Sequence, residues 1–148
     1  MQVYTLSKQK LLIAILALAV LAVVLIVSVT GCRGGRAQTL ADNAERVAYL
    51  QGLGWVVGSE PVKSHRVKIP AEMNEVLARY NQVQLQQGFD LSDDLGRSAE
   101  RYVYELKNYP DAPGPVYATL IVADGTLIAA DLSCSEEGGF VRPLTEGA

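Results

Sequence analysis

Nineteen consecutive residues near the start of the chain, Leu11 to Val29 (LLIAILALAVLAVVLIVSV), contain a single polar side chain, Ser28. As a helix rising about 1.5 Å per residue the run reaches roughly 28 Å, close to the ~30 Å hydrocarbon core of a bilayer. A cleaved signal peptide carries a shorter apolar region, about 7–15 residues. Length therefore favours a span that stays in place.

The residues that close the run point the other way. Val29-Thr30-Gly31-Cys32 resembles a lipobox: a branched apolar residue, two small residues that let a peptidase approach the backbone, then a cysteine whose thiol takes a diacylglycerol. An acylated Cys32 is a weaker anchor than a helix, since each buried methylene contributes about 0.8 kcal/mol. Both readings, retained helix and lipid attachment at Cys32, stay open. Lys8, Lys10 and the α-amine precede the run and Arg33, Arg36 and Arg46 follow it, so the positive-inside balance is nearly even. A short basic leader before an apolar segment looks like an export signal, which places the remainder outside the cytoplasm. The chain divides into a membrane anchor or lipoprotein-type signal over 1–31, a tether over 32–38 made flexible by the glycines of RGGRAQ, and an extracytoplasmic domain over 39–148. The expected location is the cell membrane, single-pass or lipid-anchored.

Lys8 and Lys10 are the only charged residues before Cys32, so the net charge of −3 for the whole chain becomes −5 beyond it. A domain this acidic lacks the basic footprint of a nucleic-acid binder. From Thr39 onward the length suffices for one core and not for two domains. A first helix is expected over TLADNAERVAYLQG, capped by Thr39 or Asp42, with Leu40, Ala44, Val47 and Leu50 at helical spacing and Gly52 at the left-handed C′ position. Trp55-Val56-Val57 reads as a short strand and VKSHRVKI as a polar strand at a sheet edge. A second helix begins at Pro70, with Glu72 and Glu75 in its first turn; Met73, Val76, Leu77, Tyr80 and Val83 form its apolar stripe, and Gly88 ends it. RYVYELK alternates as a strand, NYPDAPGP is a loop, and Val116–Val122 is apolar on both faces, as a central strand should be. Asp124-Gly125 between two apolar runs signals a two-residue hairpin turn. Alternation from Ile128 through Ala130 and Leu132 puts Cys134 on their buried face, which favours a reduced thiol. These elements specify an α+β domain: an antiparallel meander of three to four strands with two amphipathic helices on one face.

The stretches IPAEMNEVLARYNQVQ, QGFDLS, RYVYELKNYP and PVYATLIVADGTLIAAD resemble a bacterial family known as domain of unknown function 4830. The resemblance runs from about Glu45 to Leu144, and its markers are Gly88, Phe89, Asp90, Tyr102, Tyr104, Asn108, Tyr109, Pro110, Gly125 and Asp131. Two glycines commonly precede the last aspartate in that family, where this chain has Ala129 and Ala130. The resemblance implies an N-terminal membrane segment. It implies no activity, and so carries over no catalytic residue.

The residues themselves show little chemistry. His65 is the only histidine, flanked by polar and basic neighbours, and fits a solvated surface imidazole better than a metal ligand or a base for a cysteine. Asp90, Asp93 and Asp94 lack the ligand spacing of a calcium loop and suit local turn capping. No cofactor and no metal is expected. Two functions stay open: a non-enzymatic, monomeric module binding a protein or small molecule at the membrane, and a small hydrolase whose carboxylates, such as Asp90 and Asp131, meet in a cleft. For the first, the binding residues are Tyr109, Asn108 and Pro110 of the proline-stiffened loop, with Asp90; Tyr109 folded over the core is the competing account. Lipid is the partner of the anchor. Metabolic labelling with a palmitate analogue tests that anchor. A retained helix predicts full-length, unlabelled protein for both wild type and Cys32→Ser. Lipidation predicts a shortened, labelled wild type and an unlabelled variant.

Overall fold

Capping chemistry fixes the first helix. In the structure, a computed structural model that describes residues 38–146, α1 spans Asn43–Gly52 and Asp42 caps it. The Asp42 carboxylate accepts from the Glu45 amide at 2.8 Å while the Glu45 carboxylate accepts from the Asp42 amide at 3.2 Å, a reciprocal capping box. Gly52 is the last helical residue, not the C′ glycine. That role falls to Gly54, at φ +89°. Its amide donates to Gln51 O, and the Trp55 amide reaches back to Leu50 O. This is the Schellman arrangement, and Leu50 and Trp55 supply its apolar contact inside one buried cluster.

A five-stranded antiparallel sheet follows in the order β1-β2-β3-β4-β5, with β1 at Lys63–Lys68, β2 at Ser98–Glu105, β3 at Tyr117–Ala123, β4 at Thr126–Cys134 and β5 at Phe140–Arg142. The meander and the central place of β3 are as the sequence dictates. Five strands exceed the expected three to four, because three residues of the C-terminal segment pair with Leu132–Cys134. Trp55–Val57 contributes only a bridge, Val57 to Leu106. Asp124 and Gly125 take φ +49° and +75° in the β3–β4 turn, the paired left-handed conformation of a type I′ hairpin.

The second helix, α2, spans Glu75–Leu85 with Asn74 as its cap. It starts later than Pro70 because the Asn74 carboxamide accepts from the Leu77 amide at 2.9 Å and so sets the first turn. Its buried side chains are Leu77, Asn81 and Gln84. Met73 and Val76 of the expected stripe are exposed. Amphipathic period finds apolar faces, and here two of the three inward positions are amides.

Pairing register sorts the sheet into two faces. Tyr102, Tyr104, Leu120, Val122, Ala130 and Leu132 share one face with Leu50 and Val47 of α1. Ala99, Ile121 and Ala129 share the other with Leu77 and Tyr80 of α2. The helices therefore lie on opposite faces, not on one. A β3 that is apolar on both sides requires cover on both. A bulge at Ile121/Val122 also sends Ile128 to the α2 side while Leu127, Ala130, Leu132 and Cys134 stay with α1, so alternation from Ile128 does not hold. Cys134 is buried and free, as expected. Among the described residues no helix is long and apolar enough to cross a membrane; the Leu11–Val29 run, Cys32 and most of the tether lie outside them. Gln38, assigned to the tether, already accepts from the Leu127 amide at 2.9 Å.

The two helix-end glycines separate by substitution. Gly54→Ala should destabilise by about 1 kcal/mol through left-handed strain, since no atom lies within 4 Å of an added Cβ. Gly52→Ala, equally open but helical, should stabilise by up to about 1 kcal/mol. Urea midpoints read both signs.

Candidate binding site

The α1 face of the sheet is not fully covered. Where β1, β2 and the β3–β4 turn come together, a cavity of about 390 Å³ is lined by Arg66, Ser98, Glu100, Tyr102, Asp124 and Gly125, with Ala41 as one wall. Register explains the assembly: Arg66 pairs with Glu100, and Glu100 with Val122, so one row of side chains crosses three strands. Ala41 arrives because the segment before α1 is strapped to the hairpin, with Leu40 N donating to Gly125 O at 2.8 Å.

Beneath this site lies a buried cation. Arg46 is 6% exposed and forms no ion pair among the described residues. Its Nε donates to the Tyr104 hydroxyl at 3.2 Å and its Nη1 to the carbonyls of Leu40 and Ala41 at 3.1 and 3.3 Å. The guanidinium sits 3.7 Å from the centroid of the Tyr102 ring, and aromatic contact of that kind tolerates a desolvated arginine. Tyr104 in turn donates to Asn43 Oδ1 at 2.7 Å. Arg46 thus clamps the strap, α1 and two tyrosines of β2 together, and fixes one wall of the cavity.

At the rim, the Tyr102 hydroxyl donates to Glu100, and Arg66 lies 3.9 Å from the same carboxylate. Burial pushes the Tyr102 phenol above its ordinary value, Glu100 adds to this, and Arg46 opposes it. Arg97 holds Asp94 and Asp124 at once; its bonds to them raise its basicity, Asp124 first. Asp94 is buried while Asp124 is exposed, and a solvent-exposed pair adds little to stability. Of these three residues only Asp124 lines the cavity.

The residues singled out by sequence lie elsewhere. Tyr109 stacks on Trp55 with centroids 5.8 Å apart and meets Phe140 at 5.4 Å, half-buried against the α1-side core. The Asn108 side chain accepts from Val56 N and donates to Gly54 O, both at 2.9 Å, which fastens the end of α1 to the end of β2. Pro110 is exposed. Asp90 caps the short 3-10 turn Leu91–Asp94 and accepts from Asn81 Nδ2 at 3.0 Å; that bond, then those from Ser92, lower its carboxyl below the usual range. Asp131 lies under α2, 4% exposed, accepting from the Tyr80 hydroxyl at 2.7 Å. Asn81 and Tyr80 leave the helix about 100° apart, and neither Asp90 nor Asp131 lines the cavity. Sequence reasoning passed over Arg66, Glu100 and Arg46. An opposite-charge pair across strands carries no mark until the register is known.

The family model described as Domain of unknown function (DUF4830) matches residues 49–132. No curated protein and no solved structure matches the chain.

Burial pushes the Asp131 carboxyl above its ordinary 3.8, against the Tyr80 donor, Arg101 and Ser133, which pull it down. The folded state therefore holds that proton more tightly than the unfolded chain. The resulting stability is present at pH below the unfolded value and lost as pH rises through the folded one. Wild type should lose stability relative to Asp131→Asn as pH rises from about 4. Urea midpoints across that range check it; a pH-independent difference would remove burial as the dominant influence.

Proposed function

The chain belongs to the DUF4830 family, and from that premise we propose that it is a membrane-anchored, extracytoplasmic binding module that holds a partner without transforming it. The cavity over Arg66, Glu100 and Tyr102 is the observation that supports this reading. It presents an arginine, two carboxylates and a phenol in one concave place, mixed in sign and open to solvent. Ser98 is its only aliphatic hydroxyl, and no side chain among the described residues hydrogen-bonds to it, so a nucleophile with a positioned base is not assembled there. Asp131, the most buried carboxylate, sits on the opposite face under a tyrosine and supports packing of α2.

The anchor has a part in this reading. The short tether over 32–38 leads directly into Leu40 and Ala41, whose carbonyls are held by Arg46. In this reading the domain is held at the membrane by residues that precede the strap in sequence.

Site-directed photocrosslinking on the full-length chain in its own membrane tests the proposal. A photoreactive residue replacing the exposed Ser98 at the cavity mouth should give a discrete adduct. The same residue replacing Arg79, on the outer surface of α2, should not. Equal adducts from both positions, or none from Ser98, would reject the cavity as the binding place.

A further inference from the structure

The sheet ends in the six-residue β1 at one side and in the three-residue β5 at the other. Beyond β4 the backbone is occupied along its length: Gln38 and Thr39 pair with Leu127 and Thr126, Gln84 and Gln87 bond both polar groups of Ala130, and β5 pairs with Leu132–Cys134. Beyond β1 nothing among the described residues pairs. All six residues of Lys63–Lys68 are exposed or half-exposed. The Ile69 amide donates to Arg97 O at 2.9 Å, so in the register Lys68 to Ser98 the odd positions of β1 bond to β2. Alternation turns the amides and carbonyls of Ser64, Arg66 and Lys68 outward. These are three donor–acceptor sets at the spacing of a strand.

Side-chain charge selects what can use them. Lys63, Arg66 and Lys68, with His65 between them, stand on this edge, and among the described residues only Arg66 has a carboxylate within 4 Å, at 3.9 Å. A second copy pairing β1 on β1 would set cations against cations, and like charges facing across strands destabilise the pair. An acidic strand meets the opposite situation. We propose that the outer edge of β1 receives an extended acidic peptide of a partner as a sixth strand. Main-chain bonds to Ser64, Arg66 and Lys68 supply affinity. The lysines and Arg66 select acidic side chains, and those on the α1 face come beside the cavity that Arg66 lines. The assignment rests on the binding-module reading and names the chemistry of its partner.

The test uses the full-length chain in uncharged detergent micelles with two fluorescent ten-residue peptides, one alternating glutamate and threonine, the other lysine and threonine. The glutamate peptide should bind saturably, more weakly as salt rises, and should slow hydrogen exchange at the Ser64, Arg66 and Lys68 amides. The lysine peptide should do neither. Arg66→Pro removes an outward donor without touching the β2 ladder and should weaken binding about fivefold or more. Lys68→Glu, a surface charge change, should weaken it similarly with an unchanged melting curve. Equal binding of both peptides, exchange slowed elsewhere but not at these amides, or dimerisation through β1 without peptide would each overturn the proposal. A Ser98 adduct that persists while the glutamate peptide fails to bind would reject β1 and leave the binding module standing. Loss of both would reject both.

Discussion

Every residue of β4 from Leu127 to Leu132 is buried, yet the amides and carbonyls on its far side still require partners. A buried backbone group left unpaired costs roughly 1–3 kcal/mol, so the strand is tolerable only if something covers its edge. Three segments distant in sequence do so. The strap before α1 pairs at Thr126 and Leu127, two glutamines at the end of α2 bond Ala130, and β5 takes the remainder. Gln87, two residues past the end of α2, also accepts from the Leu144 amide, joining the turn after the helix to the C-terminal segment. The position of α2, the path of the strap and the docking of the C-terminus all follow from this one edge. Gln84 is fully buried in the process, and its Nε2 has no partner among the described residues. The amide's other end is held by Ala130 N, which fixes its orientation at that expense.

With the far side of β4 covered, the cavity lies toward the other end of the sheet, beside β1 and β2. Arg46 connects the two. By taking the carbonyls of Leu40 and Ala41 it locks the strap that covers the start of β4, and by lying over Tyr102 it shapes the cavity near β1. An arginine suits this place because its charge can be spread against an aromatic face and shared among neutral acceptors. A lysine there would present a compact ammonium needing more hydration. The cavity wall and the closure of the far edge therefore depend on the same side chain.

Much of the architecture was readable from local chemistry. The Asp124-Gly125 turn, the doubly apolar β3, the polar edge character of VKSHRVKI and a side-chain cap on α1, from Thr39 or Asp42, each depend on residues close in sequence, where turn conformation, alternation and hydrogen-bond reach act directly. What escaped depended on distant partners. Asn81 and Gln84 face inward because they bond to Leu91, Asp90 and Ala130, which an apolar-stripe count cannot register. Gly54 displaced Gly52 as the helix stop because Trp55 could then pack on Leu50, and although Tyr109 folded over the core was one of the two readings the sequence offered, its partners Trp55 and Phe140 lie far off in sequence.

By itself, the amino-acid order determined the apolar N-terminal run, the acidic balance beyond it, the antiparallel meander and its hairpin, since each of these follows from composition or short-range periodicity. Only the tertiary structure decided that the helices lie on opposite faces, that β4 is sealed while β1 stays open, and that Arg66, Glu100, Tyr102 and the strap enclose one cavity. Such features are set by register and by side chains satisfying backbone groups tens of residues away. Neither leaves a local signature, because the energy that selects them exists only once the sheet has formed.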